Sequence, residues 1–157
     1  MELENLRILD LLENAIFLSA AASLFVAQFI KALIAIIRFR NRRMKDALFT
    51  FMWKTGGMPS SHSAVAVAMS ASTALTEGFT NLFVISLFLS LIVIRDALGV
   101  RRSAGLQSRA LNRLGNEIEL KLGIAYDAVK EVHGHTWPEV LVGALLGFFI
   151  AVAFCRL

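Results

Sequence analysis

The chain reads as an all-α membrane helical bundle of about four apolar spans plus short interfacial helices, and three observations point there. Hydrophobic residues make up 57% and charged residues 18% of the 157 residues, with a mean hydropathy of +0.66. A soluble domain is less apolar and carries more charge. The apolar residues are gathered into runs near the length of a bilayer crossing, and all the charges but Lys31 flank those runs. The length suits a single folding unit, residues 1–157. A soluble, unusually apolar bundle is the competing reading, and partition on membrane extraction separates the two.

The first run, Ala15 to Ile37, is interrupted only by Gln28 and Lys31 and is long enough to cross about 30 Å of hydrocarbon. Lys31 sits where its stem can snorkel. A basic segment follows from Arg38 to Lys54, with Arg40, Arg42, Arg43 and Lys45, and then the turn-rich stretch Thr55 to His62. Ser63 to Thr76 carries no charge and is rich in Ala, Ser and Val, a composition that lets helix backbones approach closely. With the preceding Pro59-Ser60-Ser61 it reaches about membrane length, and Glu77-Gly78 makes the turn. The third run, Phe79 to Ile94, ends at Arg95-Asp96, and the fourth is Val140 to Phe154. Between them Leu111, Leu114, Ile118, Leu122, Ala125, Val129 and Val132 recur at three- and four-residue steps with charges opposite, as in a helix lying along the interface. Gly115 and Gly123 are expected to break that segment into two or three short helices.

The net charge of +4 does not form the basic stripe of a nucleic-acid-binding domain, so no nucleic-acid partner is expected. Cys155 is the only cysteine, which excludes an internal disulfide. Residues Met1 to Asn14 are acidic apart from Arg7 and lack the basic start and cleavage site of a secretory signal; the segment is expected to be retained.

If the four runs are successive crossings, the end of the first, the start of the second, the end of the third and the start of the fourth share one face. Lys31 and Arg38, the Pro59–His62 turn, the Arg95–Arg102 segment and the His135–Glu139 segment then converge. That face also carries nearly all Lys and Arg, while Glu2, Glu4, Asp10, Glu13 and Glu77 lie opposite with only Arg7 and Arg156. The positive-inside rule makes the basic face cytoplasmic and puts both termini outside. The expected location is a cell inner membrane or its equivalent.

Two helix starts on that face are the candidates for chemistry. Pro59-Ser60-Ser61-His62 opens a helix whose free N–H groups and positive dipole end suit an anion, with Ser60 and Ser61 as further donors. Capping by either serine is the structural alternative. In Gly134-His135-Thr136-Trp137-Pro138-Glu139, Pro138 suits a first turn, and the i, i+4 spacing allows His135 to pair with Glu139. A carboxylate on one ring nitrogen leaves the other as a nucleophile or base. Lys31 and Arg38, seven residues apart, fall on one helix face, where a Lys and an Arg at a membrane helix end usually serve as anchors. Asp96 is expected to pair with Arg101 or Arg102.

In this order the blocks resemble the type 2 phosphatidic acid phosphatase and vanadium-dependent haloperoxidase superfamily, and more closely its divergent small membrane branch. The superfamily pattern is Lys-x6-Arg-Pro, then Pro-Ser-Gly-His, then Ser-Arg-x5-His-x3-Asp. Lys31 and Arg38 keep the first spacing without the Pro. Pro59-Ser60-Ser61-His62 has Ser for Gly, and His135 with Glu139 has Glu for Asp, trailed by Val140 and Gly143. Val129-Lys130 stand where the third motif has Ser-Arg; the expected arginine is missing there, and Arg101 or Arg102 could supply it. The stretch from Asp96 to Asn112 resembles a block peculiar to the divergent branch, and the resemblance covers residues 25 to 147.

The resemblance implies a metal-independent phosphomonoesterase, with no cofactor, acting on a phospholipid phosphate of the phosphatidylglycerol phosphate or phosphatidic acid type. It implies that His135 attacks phosphorus, Glu139 orients it and His62 protonates the leaving alcohol. Lys31, Arg38, Ser60, Ser61, Arg101 and Arg102 would bind the phosphate. The alternative is a catalytically silent membrane protein that binds anionic lipid headgroups. A metal site on His62, His133 and His135 finds no supporting Cys or carboxylate set, so no metal is expected.

Overall fold

A computed structural model describes residues 8–38, 57–131 and 134–156. The expectations placed on Glu2, Glu4, Arg7, Arg40, Arg42, Arg43, Lys45, Val132 and His133, and on the side chain of Arg38, lie outside the described residues. Everything regular among the described residues is helix: α1 (Ile8–Glu13), α2 (Ala15–Arg38), α3 (Ser61–Glu77), α4 (Asn81–Leu98), α5 (Val100–Leu122) and α6 (Trp137–Arg156).

Asn14 separates α1 from α2 and starts the second. Its Oδ1 accepts the N–H groups of Ile16 at 2.9 Å and Phe17 at 3.0 Å, the bond of an N-cap residue. The long apolar run that follows has no Gly or Pro to stop it, so 24 residues stay helical, about 36 Å of rise. Ala15–Ile37, the Asn81–Leu122 stretch that contains α4, and Trp137–Arg156 are each long and apolar enough to cross a membrane. The second of the four runs, α3, is shorter at 17 residues and richer in Ser and Ala. It is the hub of the bundle, packed against α2, α4 and α6.

The interior is built from small residues. Ala27, Ala64, Ala68 and Ala151 are fully buried together with Ser19, Ser23, Ser63 and Ser72, while Phe25, Phe29, Ile85, Phe88 and Phe149 point outward. Between membrane helices, burial of large apolar groups supplies little, because lipid tails solvate them as well; close backbone packing supplies the attraction. The buried hydroxyls named here are satisfied within the bundle. Ser72 and Thr73 donate to carbonyls one turn back, and Ser90 of α4 donates across to Ala66 of α3 at 2.6 Å. In hydrocarbon an unmade bond of that kind costs on the order of several kcal/mol.

Gly143 and Gly147 set the α3–α6 contact. A Cβ on Gly143 would overlap the carbonyl oxygen of Ser60, and one on Gly147 the carbonyl oxygen of Ala64. The two glycines are four residues apart and so lie on one face, as in close-packed membrane helix pairs.

One expectation is overturned. Gly115 does not break α5, which is a single 23-residue helix. A lone glycine inside a helix costs only about 1 kcal/mol against alanine, and here the bare position has a use, because the ring of Tyr126 occupies the space a Cβ would need. The break comes at Gly123, whose φ of +66° and N–H bond to the Glu119 carbonyl close the helix in the left-handed conformation glycine adopts freely. Ala125 and Val129 continue the helical spacing, yet 124–131 is not helical and returns along α5. Among the described helices, α5 touches α4 alone.

Candidate active site

Three backbone and side-chain links draw the polar blocks together. The N–H of Ser60, just before α3, donates to the carbonyl of Glu139 in the first turn of α6 at 2.9 Å, so the two helix starts abut. The N–H of His135 donates to the carbonyl of Ala97 at the end of α4 at 3.1 Å. Gly134 lies against the backbone of Arg102, where a Cβ would not fit. The convergence expected from counting crossings is thus present for α3, α4 and α6.

His135 is buried, 4% exposed, and its Nδ1 lies 3.1 Å from Oε2 of Glu139. The same carboxylate oxygen accepts the N–H of Thr136 at 3.0 Å, which ties Glu139 to the helix start and fixes its reach. With Glu139 accepting an Nδ1–H, the Nε2 lone pair is left for chemistry. His62, the second residue of α3, is exposed, and its ring centre lies 6.5 Å from that of His135 with the planes at 60°.

Both imidazoles lie outside the apolar stretches, and both have pKa values pushed below the ordinary 6.5. For His62 the causes are partial burial of the ring first, then the positive charges of Arg101, His135 and Lys31, with Asp96 opposing. For His135 burial dominates and outweighs the hydrogen bond and charge of Glu139, with Lys31 and Arg101 adding to the lowering. Imidazoles whose charged form is disfavoured by burial and by neighbouring cations mark a site that favours an incoming anion.

Of the residues expected to bind phosphate, Lys31 is buried at 6% exposure and near enough to act on both rings. Arg101 pairs through Nε with Oδ2 of Asp96 at 2.7 Å, as expected for one of the two arginines. Arg102 is exposed. Ser60 is fully buried and its Oγ accepts from Ser63, from the N–H at 3.4 Å and from the hydroxyl at 3.0 Å; the capping role is therefore present. Ser61 is buried at the first position of α3. Among the described residues no three His, Cys, Asp or Glu side chains gather as metal ligands.

Sequence reasoning missed the Ala97 carbonyl, the Gly134 approach and the Gly143–Gly147 face. The last had a readable signal, two glycines four apart in an apolar run. A backbone carbonyl has none, because every residue carries one.

The sequence profile described as the Divergent PAP2 family matches residues 12–150. The chain is also 36% identical over 156 residues to a Bacillus subtilis (strain 168) protein named "Uncharacterized membrane protein YuiD", covering 92% of this chain and 96% of the relative. No solved structure matches the chain.

Proposed function

The chain belongs to the divergent PAP2 family and is an integral membrane protein, and from that premise we propose that it removes phosphate from a membrane lipid phosphate through a phosphohistidine on His135. The observation that carries this reading is the buried His135 with Nδ1 held by Glu139, beside a second imidazole and the Lys31 and Arg101 charges.

In the proposed reaction Nε2 of His135 attacks phosphorus, and the P–O bond to the lipid alcohol breaks. Protonated His62 gives its proton to the departing oxygen. Water then attacks the phosphohistidine, neutral His62 takes a proton from that water, and inorganic phosphate leaves with His135 restored. Glu139 steadies the positive charge on the imidazole during attack. Lys31, Arg101, the remaining expected phosphate ligands and the N–H groups of two adjoining helix starts stabilise the phosphoryl oxygens. Phosphatidylglycerol phosphate and phosphatidic acid are the substrates proposed, reached from the cytoplasmic leaflet.

A second reading, binding of anionic lipid headgroups without turnover, is favoured by one observation: Arg101, the candidate for the missing motif arginine, has its Nε engaged by Asp96. Phosphate release from short-chain forms of both lipids, by detergent-purified protein in excess chelator, decides between them. Release that is lost in His135→Ala supports the phosphatase. Release unaffected by that change sinks the histidine mechanism, and lipid binding without release supports the silent reading.

A further inference from the structure

The chain reaches His135 by a long detour. α5 runs out to Gly123, residues 124–131 come back along it without regular structure, and Gly134 to Thr136 lead into α6. Holding an irregular segment of that length in one path costs chain entropy at every residue. Something must pin it.

Asn112 does so with its whole side chain. Nδ2 donates to the Val129 carbonyl at 2.9 Å and to Oε1 of Glu131 at 3.1 Å. Oδ1 accepts the Val129 N–H at 2.8 Å and the Tyr126 hydroxyl at 2.8 Å. A primary amide has two N–H donors and two acceptor lone pairs, so its capacity is used in full. The pair of bonds to Val129 is the exchange one β-strand residue makes with another, supplied by a helix side chain to a backbone that has no strand beside it. On one side of this clamp the Tyr126 ring fills the bare face of Gly115; on the other, Gly134 seats on Arg102 and His135 bonds to Ala97. The described parts of the return path thus meet α5 at three places: Tyr126 at Gly115, Val129 and Glu131 at Asn112, and Gly134 at Arg102.

We propose that Asn112 is a positioning residue for His135: it sets the register of the return segment on α5 and thereby where His135 meets Glu139 and His62. The proposal rests on the reading of His135 as nucleophile, but its placement effect is measurable without turnover. Asn112 touches neither imidazole. It acts through its bonds to Tyr126, Val129 and Glu131.

The test is histidine NMR on isotopically labelled full-length protein in detergent, following the titration of His135 in wild type and Asn112→Ala, with lipid phosphate hydrolysis measured in parallel. His135 faces Glu139, Lys31, Arg101 and His62, and a slipped segment withdraws it from burial among them. The expected result is a His135 midpoint moved up towards 6.5, with kcat lower by about 10²-fold and KM within about twofold, the scale of a small misplacement of a reacting group. A role confined to stability would lower the unfolding temperature and leave the His135 titration in place; that result overturns the proposal. Tyr126→Phe deletes one of the four bonds while keeping the ring on Gly115, and serves where Asn112→Ala does not fold. It is expected to move the midpoint in the same direction by less, and an unmoved midpoint there overturns the proposal too. If no lipid is hydrolysed by wild type while the midpoint still moves, the proposed reaction fails and the positioning role stands.

Discussion

The ring centres of His62 and His135 lie 6.5 Å apart in an edge-to-face arrangement with planes inclined at 60°, one from the start of α3 and the other from just before α6. In the proposed reaction the productive form has His135 neutral and His62 protonated. Acid removes the nucleophile by protonating His135, and base removes the proton that His62 donates. Both pKa values are depressed below 6.5, so kcat/KM should peak on the acid side of 6.5 and fall through neutrality, with limbs that belong to the pair. A pH profile of wild type and His62→Gln checks this. A rate that climbs from about pH 6.5 to 8 sinks the assignment.

Glu139 carries two hydrogen bonds with one oxygen, to His135 and to Thr136. Glu139→Gln keeps an acceptor of the same shape and deletes the charge. It should lower kcat by about 10²-fold or more, as removal of the orienting carboxylate from an imidazole does elsewhere, with KM little changed. A kcat equal to wild type would leave Glu139 as a helix cap only.

Asp96 and Arg101 form a partly exposed pair, so Asp96→Asn should change folding stability by less than about 1 kcal/mol. Arg101→Lys keeps the positive charge but loses the planar fork that grips two phosphate oxygens. We expect a lower kcat/KM from Arg101→Lys and an unfolding midpoint close to wild type. Steady-state kinetics beside thermal unfolding in detergent distinguish this from a structural loss, and unchanged kinetics would remove Arg101 from the site.

Gly147 is packed against the Ala64 carbonyl with no room for a methyl group. Gly147→Ala should destabilise the bundle by about 1–3 kcal/mol, the cost of overpacking, and Gly147→Leu by more. An unfolding midpoint for Gly147→Ala that matches wild type would show that α3 and α6 do not depend on this approach.

The orientation proposed from the charge distribution puts α5 on the cytoplasmic side. Gln107 is exposed there, so Gln107→Cys in a Cys155→Ser background should react with a membrane-impermeant maleimide in inverted vesicles and not in intact cells. The reverse pattern would invert the orientation.

The apolar runs were legible as helices because length and hydropathy suffice to predict α2, α4 and α6. His62, His135 and Glu139 were legible because side-chain chemistry recurs at a spacing, and the i, i+4 pairing of the last two is present as read. The course of residues 100–136 was not. Gly115 and Gly123 look alike in a string of letters, yet one lies under an aromatic ring in a helix interior and the other turns the chain. Asn112 reads as a polar surface residue until the segment it holds is in place. Its partners are 14 to 19 residues away, and two of its four bonds are to backbone atoms that no sequence distinguishes.

Where Gly143 meets Ser60 and Gly147 meets Ala64, main chain touches main chain, with no long side chain to act as a cushion. Helices that meet a bilayer thicker or thinner than their apolar length tilt to suit it. With backbones in direct contact, α3 and α6 are expected to tilt together, taking with them His62 at the start of α3 and His135 just before α6. Acyl-chain length in the host membrane is therefore expected to change the depth at which the His62–His135 pair meets the headgroups more than the separation of its two rings.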